Sequence, residues 1–352
     1  MARGLVIEAD DEPAGDLDGR VRNRLLITPH AAVVAGMNHT VDGVWLNLTD
    51  LATGEIASSG TVLAPGTGPA ERIEAGVSVL QRLLDDAGLD RGRVLGVGIG
   101  MPGPIHHGTG VVSVSLPGQP WSHAHVTAEL ERVLGLPVMV ENGTRLEGVA
   151  EARWGAGRGV ANLLYVGLSS GIGSALVLDG RLHRGAVGAA GELGHVSVDI
   201  DGPVCPCGNR GCLVLHAGLP AVLAALRREF GTGAELDEML VRTAAGDPAG
   251  ERVFTRAGTV VGRLLANLCN LLNPERIVVG GELSLAGEAL LAPMRSAIRR
   301  TALSLVRDVE VVPAELGHGA RSGALGGAAL VLGETPDLAA ALNNLSAKGS
   351  TA

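Results

Sequence analysis

The sequence predicts an α/β protein with two lobes, and three observations carry that prediction. Strand and helix candidates alternate from about residue 31 to residue 335, as they do in α/β folds. A strand–turn–strand–turn–strand order in residues 32–64 recurs in residues 162–184. A turn-rich segment holding one histidine and three cysteines follows the second copy. Two related lobes with a cleft between them explain the repeat, and chance similarity of two hairpins is the alternative.

The composition suits a protein with a large aliphatic core. Hydrophobic residues make up 46% of the 352-residue chain, but aromatic residues only 2%. The net charge is −9, and no segment has the dense Lys/Arg content of an obvious nucleic-acid surface. No apolar run reaches the roughly 18 residues that span a bilayer, and the acidic N-terminus has no signal-peptide core. We therefore expect a cytoplasmic protein with reduced cysteines and no membrane partner.

Short runs rich in Val, Ile and Leu, bounded by Gly, Pro or Asp, are the strand candidates. The main ones are Ala32–Met37, Val44–Leu48, Val94–Ile99, Val138–Val140, Leu163–Leu168, Ser174–Leu178 and Ile277–Val279. The clearest helix spans about residues 250–272, where apolar residues recur at three- and four-residue steps and Asn273-Pro274 ends the pattern. Further helices are predicted over residues 70–86, 122–134, 219–230 and 284–301.

A metal site is predicted in the turn-rich segment 195–212. His195, Cys205, Cys207 and Cys212 fall within it. Three thiolates and one imidazole form the closed tetrahedral shell of a structural zinc site, whereas a catalytic zinc keeps one position open. Free thiols in a loop, or a disulfide, are the alternatives. Cys269 lies on the apolar helix and is interpreted as a core residue.

The same segment carries a recognisable motif. It reads Gly191-Glu-Leu-Gly-His, nine residues, then Cys205-Pro-Cys-Gly-Asn-Arg-Gly-Cys. Together with Gly98-Ile-Gly-Met-Pro-Gly-Pro and Asn273-Pro274 before Gly280-Gly281, it resembles the signature of the ROK family (repressor, open reading frame, kinase) over roughly residues 31–333. The resemblance implies a duplicated actin/hexokinase-like (ribonuclease H-like) two-lobed α/β fold with a zinc-binding loop.

The resemblance also implies a division of the chain. Residues 31–141 with about 322–335 would form an N-terminal lobe, and residues 142–321 a C-terminal lobe. Residues 1–30 resemble the wing and linker of the winged-helix segment found in the family's repressors, although an unrelated acidic extension is the alternative. They hold no room for a recognition helix, so DNA is an expected partner only where a winged-helix segment precedes this chain. Residues 336–352 are expected to form a flexible tail.

Site residues follow from the resemblance position by position. Asn142, Glu192 and His195 match residues that bind sugar hydroxyls, and His195 would bind the metal as well. The family's second phosphate loop matches Gly167, Gly171 and Gly173. The adenosine side of its cleft matches Gly280 and Gly281.

Three departures from the family pattern point away from catalysis. Gly143 stands where the kinases have the aspartate that would act as general base, a role worth about 10²–10⁴ in rate. The first phosphate loop, Asp-x-Gly-Gly-Thr in the family, falls on residues 38–42, which read Asn-His-Thr-Val-Asp. Val214 replaces a glutamate that contacts sugar. These departures argue against ATP and Mg²⁺ as working cofactors.

Three functions are consistent with this pattern. The preferred hypothesis is a repressor-like transcriptional regulator of the ROK type whose body senses a sugar or related ligand without phosphorylating it. The alternatives are an ATP-dependent, glucokinase-like sugar kinase and a catalytically dead interaction module. Family resemblance implies a homodimer or homotetramer in each case.

Overall fold

A computed structural model describes residues 6–8, 25–52, 54–106, 109–112, 121, 126–231, 233 and 235–335. Its centre is a pair of five-stranded mixed sheets with the same internal order. The first sheet has the order β5-β4-β3-β6-β9, and its strands in chain order are β3 (Val33–His39), β4 (Gly43–Asp50), β5 (Gly54–Val62), β6 (Val94–Met101) and β9 (Val138–Asn142).

The second sheet repeats this arrangement in the order β12-β11-β10-β13-β14. Its strands are β10 (Leu163–Leu168), β11 (Ile172–Leu178), β12 (Arg181–Leu182), β13 (Arg276–Gly280) and β14 (Glu310–Pro313). In both sheets the first three strands form an antiparallel meander, and the last two add parallel to the first. The repeated element order predicted from the sequence is therefore confirmed as a repeated sheet topology.

Two small antiparallel ladders lie outside these sheets. Strand β1 (Val6–Glu8) pairs with β2 (Leu25–Ile27), and β7 (Ile105–His106) pairs with β8 (Val111–Val112). The first ladder falls within the segment predicted to be a winged-helix remnant, and that assignment remains a prediction. The predicted tail, residues 336–352, lies outside the described residues.

The helices, in chain order, are α1 (Pro69–Asp86), α2 (Val126–Leu134), α3 (Gly143–Trp154), α4 (Val214–Ala217), α5 (Leu219–Phe230), α6 (Leu236–Ala244), α7 (Pro248–Leu272), α8 (Glu288–Thr301) and α9 (Ala320–Glu334). Helix α7 ends at the predicted residue because Asn273 adopts a left-handed conformation there. The predicted helix 284–301 is shorter than expected, since Gly287 (φ 56°) separates a 3₁₀ turn from α8. No described helix is long and apolar enough to cross a membrane.

Helices α3 and α9 fill the space between the two sheets. Helix α3 follows the last strand of the first sheet but packs on β10 and β11 of the second. Helix α9 follows the last strand of the second sheet but packs on β3, β4 and β6 of the first. The two helices also pack against each other. Each sheet is therefore covered by the helix that follows the last strand of the other sheet.

Glycines allow helix α9 to approach the first sheet at backbone distance. A Cβ placed on Gly36 would lie 1.7 Å from the carbonyl oxygen of Ala324, and one on Gly98 would lie 2.0 Å from that of Gly327. These positions exclude any side chain, because both neighbours are main-chain atoms.

We predict that Gly98→Ala lowers the free energy of unfolding by about 2–3 kcal/mol, since the methyl group must push α9 off the sheet. Gly92→Ala is the matched control, because a Cβ there meets nothing within 4 Å and should change stability by less than about 0.5 kcal/mol. Urea unfolding of both variants measures the difference. Equal stability of the two would contradict the close packing.

A buried carboxyl group joins three elements at the centre of the molecule. Glu147 of α3 accepts a hydrogen bond from the Tyr165 hydroxyl of β10 at 2.5 Å and another from the backbone N–H of Gly319, just before α9. Burial is the main cause that raises the pKa of Glu147 to about 8, and the nearby Glu282 and Glu151 add to it. Glu147 is therefore protonated in the folded protein at neutral pH.

A carboxyl group whose pKa is raised by folding contributes stability below its unfolded pKa and loses it as pH rises toward the folded value. For Glu147 the window runs from about 4.5 to about 8, with a slope approaching 1.4 kcal/mol per pH unit. We predict that Glu147→Gln flattens the fall in thermal stability across this window, because the amide still accepts from Tyr165. Glu131→Gln, at an exposed position, should leave the profile unchanged. Parallel profiles for the wild type and Glu147→Gln would contradict the prediction.

Candidate ligand and metal site

The four predicted metal ligands come together in one cluster. The donor atoms of His195, Cys205, Cys207 and Cys212 all lie within 4.8 Å of one another. The Sγ atoms of Cys207 and Cys212 are 3.7 Å apart, as are Cys205 Sγ and His195 Nδ1. Zinc–sulfur bonds of about 2.3 Å in a tetrahedron place two sulfurs about 3.8 Å apart. The donor set and its spacing therefore fit a closed, four-coordinate metal ion.

Backbone turns shape the metal loop. The N–H of Cys205 donates to the carbonyl of Asn209 at 2.7 Å, and that of Gly208 donates to Cys205 at 2.9 Å. Gly211 adopts a φ of 59°, and a Cβ there would lie 1.7 Å from the carbonyl oxygen of Asp199. Only glycine fits this position. The spacing of the cysteines is thus built into the loop's main chain.

The predicted sugar contact Glu192 lies beside the metal cluster, three residues before His195. Its Oε1 accepts from Nη2 of Arg145 at 3.2 Å, and its side chain is 30% exposed. Burial raises the pKa of Glu192, while the charges of Arg145 and His195 oppose the rise. Since Nδ1 of His195 faces Cys205, Nε2 is the ring nitrogen left for a ligand.

Asn142, the third predicted sugar contact, is the N-cap of α3. Its Oδ1 accepts from the backbone N–H of Arg145 at 3.2 Å, and its Nδ2 donates to the carbonyl of Gly103 at 3.0 Å. Arg145 therefore contacts both Asn142 and Glu192, two of the three predicted ligand residues. Val214 packs on the apolar cluster that covers the second sheet.

An amide fills the position where the sequence lacks a general base. Gly143 is the first residue of α3, and a Cβ there would lie 2.9 Å from Oδ1 of Asn38. Asn38 is 3% exposed. Its Nδ2 donates to the carbonyls of Gly319 and Ala320, while its Oδ1 has no hydrogen-bond partner among the described residues. Neither glycine nor a carboxamide accepts a proton at neutral pH.

The first phosphate loop is a turn that a buried arginine fixes from inside. Arg72 donates through Nη1 to the carbonyl of Thr40 at 2.8 Å and through Nη2 to that of Val41 at 2.7 Å. The hydroxyl of Thr40 donates to the carboxylate of Asp42 at 2.7 Å. The valine side chain is 67% exposed, so the turn presents an apolar group and an acidic group beside the cleft.

The glycines predicted for the second phosphate loop have different surroundings. Gly167 and Gly173 face each other across β10 and β11, and a Cβ on either would lie 2.8 Å from Cγ2 of Thr144 on α3. A Cβ on Gly171, at the turn, meets nothing within 4 Å. Packing against α3 thus explains by itself why Gly167 and Gly173 have no side chain. Their phosphate-binding role remains a prediction.

The predicted adenosine side of the cleft is crowded and acidic. A Cβ on Gly280 would lie 2.2 Å from the Tyr165 hydroxyl, and one on Gly281 would lie 2.3 Å from the Leu168 carbonyl. Glu282 follows, and its Oε2 is buried without a hydrogen-bond partner among the described residues.

Sequence reasoning missed the charged residues that organise the cleft. Arg145 is 1% exposed and Glu141 is 2% exposed, and they pair at 3.1 Å. Their i, i+4 spacing around Asn142-Gly143 is a signal that could have identified the pair. The burial of two charges could not be read from spacing alone.

Comparison with known proteins gives the family. The model of the ROK family matches residues 43–334. The xylose repressor of Caldicellulosiruptor bescii is 31% identical over 220 residues, which cover 59% of this chain and 55% of the repressor. This chain therefore matches only about half the length of that relative.

Two solved structures share the fold. A ROK family glucokinase from Streptomyces griseus, in complex with glucose and AMPPNP, has a TM-score of 0.72 at 27% identity and covers 85% of this chain and 99% of its own. A ROK family transcriptional regulator, a homolog of the E. coli MLC protein, has a TM-score of 0.79 at 25% identity and covers 98% of this chain and 87% of its own. The chain belongs to the ROK family and has the α/β fold of its sugar kinases.

Proposed function

We propose that this chain is the body of a ROK-type transcriptional regulator that binds a sugar or a sugar derivative without phosphorylating it. The observation that carries the proposal is the start of α3, where Gly143 and the buried amide of Asn38 occupy the place of a general base. Transfer of phosphate to a hydroxyl needs a group that takes up its proton. The protein offers none at this position.

The nucleotide side of the cleft supports the same conclusion. Asp42 places a carboxyl group in the predicted first phosphate loop, and Glu282 places another beside the predicted adenosine loop. An ATP molecule there would bring further negative charge close to them, which is unfavourable without compensating cations. ATP and Mg²⁺ are accordingly not part of the proposed function.

The ligand side keeps the groups that recognise hydroxyls. Glu192 has a partly exposed carboxylate that can accept from sugar hydroxyls, and Nε2 of His195 is the ring nitrogen that does not face Cys205. Arg145 donates a hydrogen bond to Glu192, and its charge favours the ionised form of that carboxyl group. The carboxylate of Glu192, the imidazole of His195 and the fixed amide of Asn142 are polar groups suited to a polyhydroxyl ligand.

The extent of the structural match supports a regulator. The transcriptional regulator covers 98% of this chain, whereas the glucokinase covers 85%. Where a winged-helix segment precedes this chain, ligand binding at the body would shift the arrangement of its DNA-binding arms, within a homodimer or homotetramer.

A sugar kinase is the second candidate. The glucokinase is 27% identical to this chain, no more distant than the regulator at 25%. The two functions differ in turnover, so a direct assay separates them.

We predict that hexoses, pentoses or amino sugars raise the melting temperature without causing release of ADP from MgATP. A ligand present at 100 times its dissociation constant adds about 2.7 kcal/mol of stability. Glu192→Gln should lose most of the shift, since the carboxylate becomes a neutral amide. A coupled ADP assay, with the Streptomyces griseus glucokinase as positive control, measures turnover. Sugar-dependent ADP release by the wild type would establish the kinase instead.

The metal that fits the cluster best is zinc, and we propose it as a structural cofactor. Three thiolates with one imidazole nitrogen favour zinc among common ions. Because the residues between the ligands are turns, the ion would supply most of the local stability of the loop.

We predict one zinc per chain in protein purified without chelator. Cys212→Ser should lose the metal and lower the melting temperature, because the cluster then lacks one thiolate. Cys269→Ser is the matched control, since Cys269 is equally buried but lies in α7 away from the cluster. Elemental analysis checks metal content. A metal-free wild type, or loss of metal in both variants, would contradict the assignment.

A further inference from the structure

A continuous series of charged side chains runs from the candidate ligand carboxylate to the last turn of α9. Glu192 accepts from Arg145 at 3.2 Å, and Arg145 donates to Glu141 at 3.1 Å. Glu141 accepts from Arg184 at 2.6 Å, and Arg184 pairs with Glu334 at 2.8 Å. The series therefore alternates in sign along its whole length.

Its middle members are buried and cannot act alone. The side chains of Arg145 and Glu141 are 2% and 3% exposed. Arginine keeps its proton in proteins, so a buried Arg145 requires its two carboxylate partners. Removing one partner leaves an uncompensated charge in a low-dielectric interior, which is strongly unfavourable. Removing the charge of one member therefore destabilises the next member of the series.

Glu141 is the residue that links the two sheets. It lies in β9 of the first sheet, whereas Arg184 follows β12 of the second. One carboxylate oxygen accepts from Arg145 and from the backbone N–H of Asn142, and the other accepts from Arg184. The cap of α3 and both arginines are thus fixed by a single side chain.

The far end of the series lies in the part of α9 that packs against the start of β3. Glu334 is the last residue of α9. In the same part of that helix, Ala328 and Val331 pack on Ala32 and Val34 at the start of β3. The position of this end of α9 is thus set by its packing on the start of the first sheet.

We propose that Arg145 and Arg184 are positioning residues for Glu192, and that they couple ligand binding to the seating of the α9 end against β3. A ligand hydroxyl that donates to Glu192 binds the same carboxylate to which Arg145 donates. A change in the contact between Arg145 and Glu192 alters the contact between Arg145 and Glu141. Through Glu141 it then alters the contacts of Arg184 and Glu334. The ligand part of this inference rests on the proposed function, whereas the connection between the charges does not.

A double-mutant cycle tests the connection without a ligand. Glu192→Gln and Glu334→Gln are made singly and together, and the shifts in melting temperature are compared. These residues share no direct bond, so independent sites would give additive shifts. We expect the double variant to differ clearly from the sum. The control pairs Glu192→Gln with Glu229→Gln, because Glu229 forms a separate exposed ion pair with Arg252, and this cycle should be additive. Additive shifts in both cycles would overturn the proposal.

Binding measurements test the coupling to the ligand. For a sugar that stabilises the wild type, we expect Glu334→Gln to weaken binding about five-fold or more and Glu229→Gln to leave it unchanged. Hydrogen exchange adds a structural readout: the sugar should change the protection of residues 328–334 in the wild type, and Arg184→Met should abolish that change. Unchanged affinity in Glu334→Gln overturns the coupling. If no sugar of the panel binds, the proposed function fails, and the ligand-free cycle still decides whether the charges act together.

Discussion

The structure depends on the exchange of two helices between two sheets. Helix α3 leaves the first sheet and covers the second, and α9 leaves the second and covers the first. The first residues of both helices lie close to Asn38: its Nδ2 donates to the carbonyls at the start of α9, while its Oδ1 faces Gly143 at the start of α3. The packing that joins the two sheets therefore also builds the candidate site, so a change in site chemistry must fit between two helix ends.

The strands and the cluster of His195 with three cysteines could be predicted because their signals are local. Runs of aliphatic residues between turns mark buried strands, and the cysteine spacing marks a metal loop. Helices α3 and α9 gave no such signal. Helix α9 is buried on nearly all sides and is rich in glycine and alanine, so it lacks the periodic polar face by which helices are recognised. Its glycines, which lower helix propensity, are present because the first sheet approaches at backbone distance.

The candidate site was only partly readable for a related reason. A missing carboxylate at Gly143 is visible in the sequence, but what replaces it is not. The space beside Gly143 is occupied by the amide of Asn38, which lies more than 100 residues earlier in the chain. Likewise, Glu192 could be recognised by its motif, whereas its arginine partner could not, because Arg145 lies on a different element. Long-range pairing of charges is decided by the fold.

The carboxyl groups near the predicted nucleotide and ligand residues differ in their surroundings. Beside the predicted adenosine loop, Oε2 of Glu282 is buried without a hydrogen-bond partner among the described residues. On the ligand side, each carboxylate has an arginine partner. An arginine partner fixes the orientation of a carboxylate, which is what recognition of a neutral polar ligand requires. This arrangement agrees with the proposed function, in which the ligand carboxylate must be held in place although no phosphate is transferred.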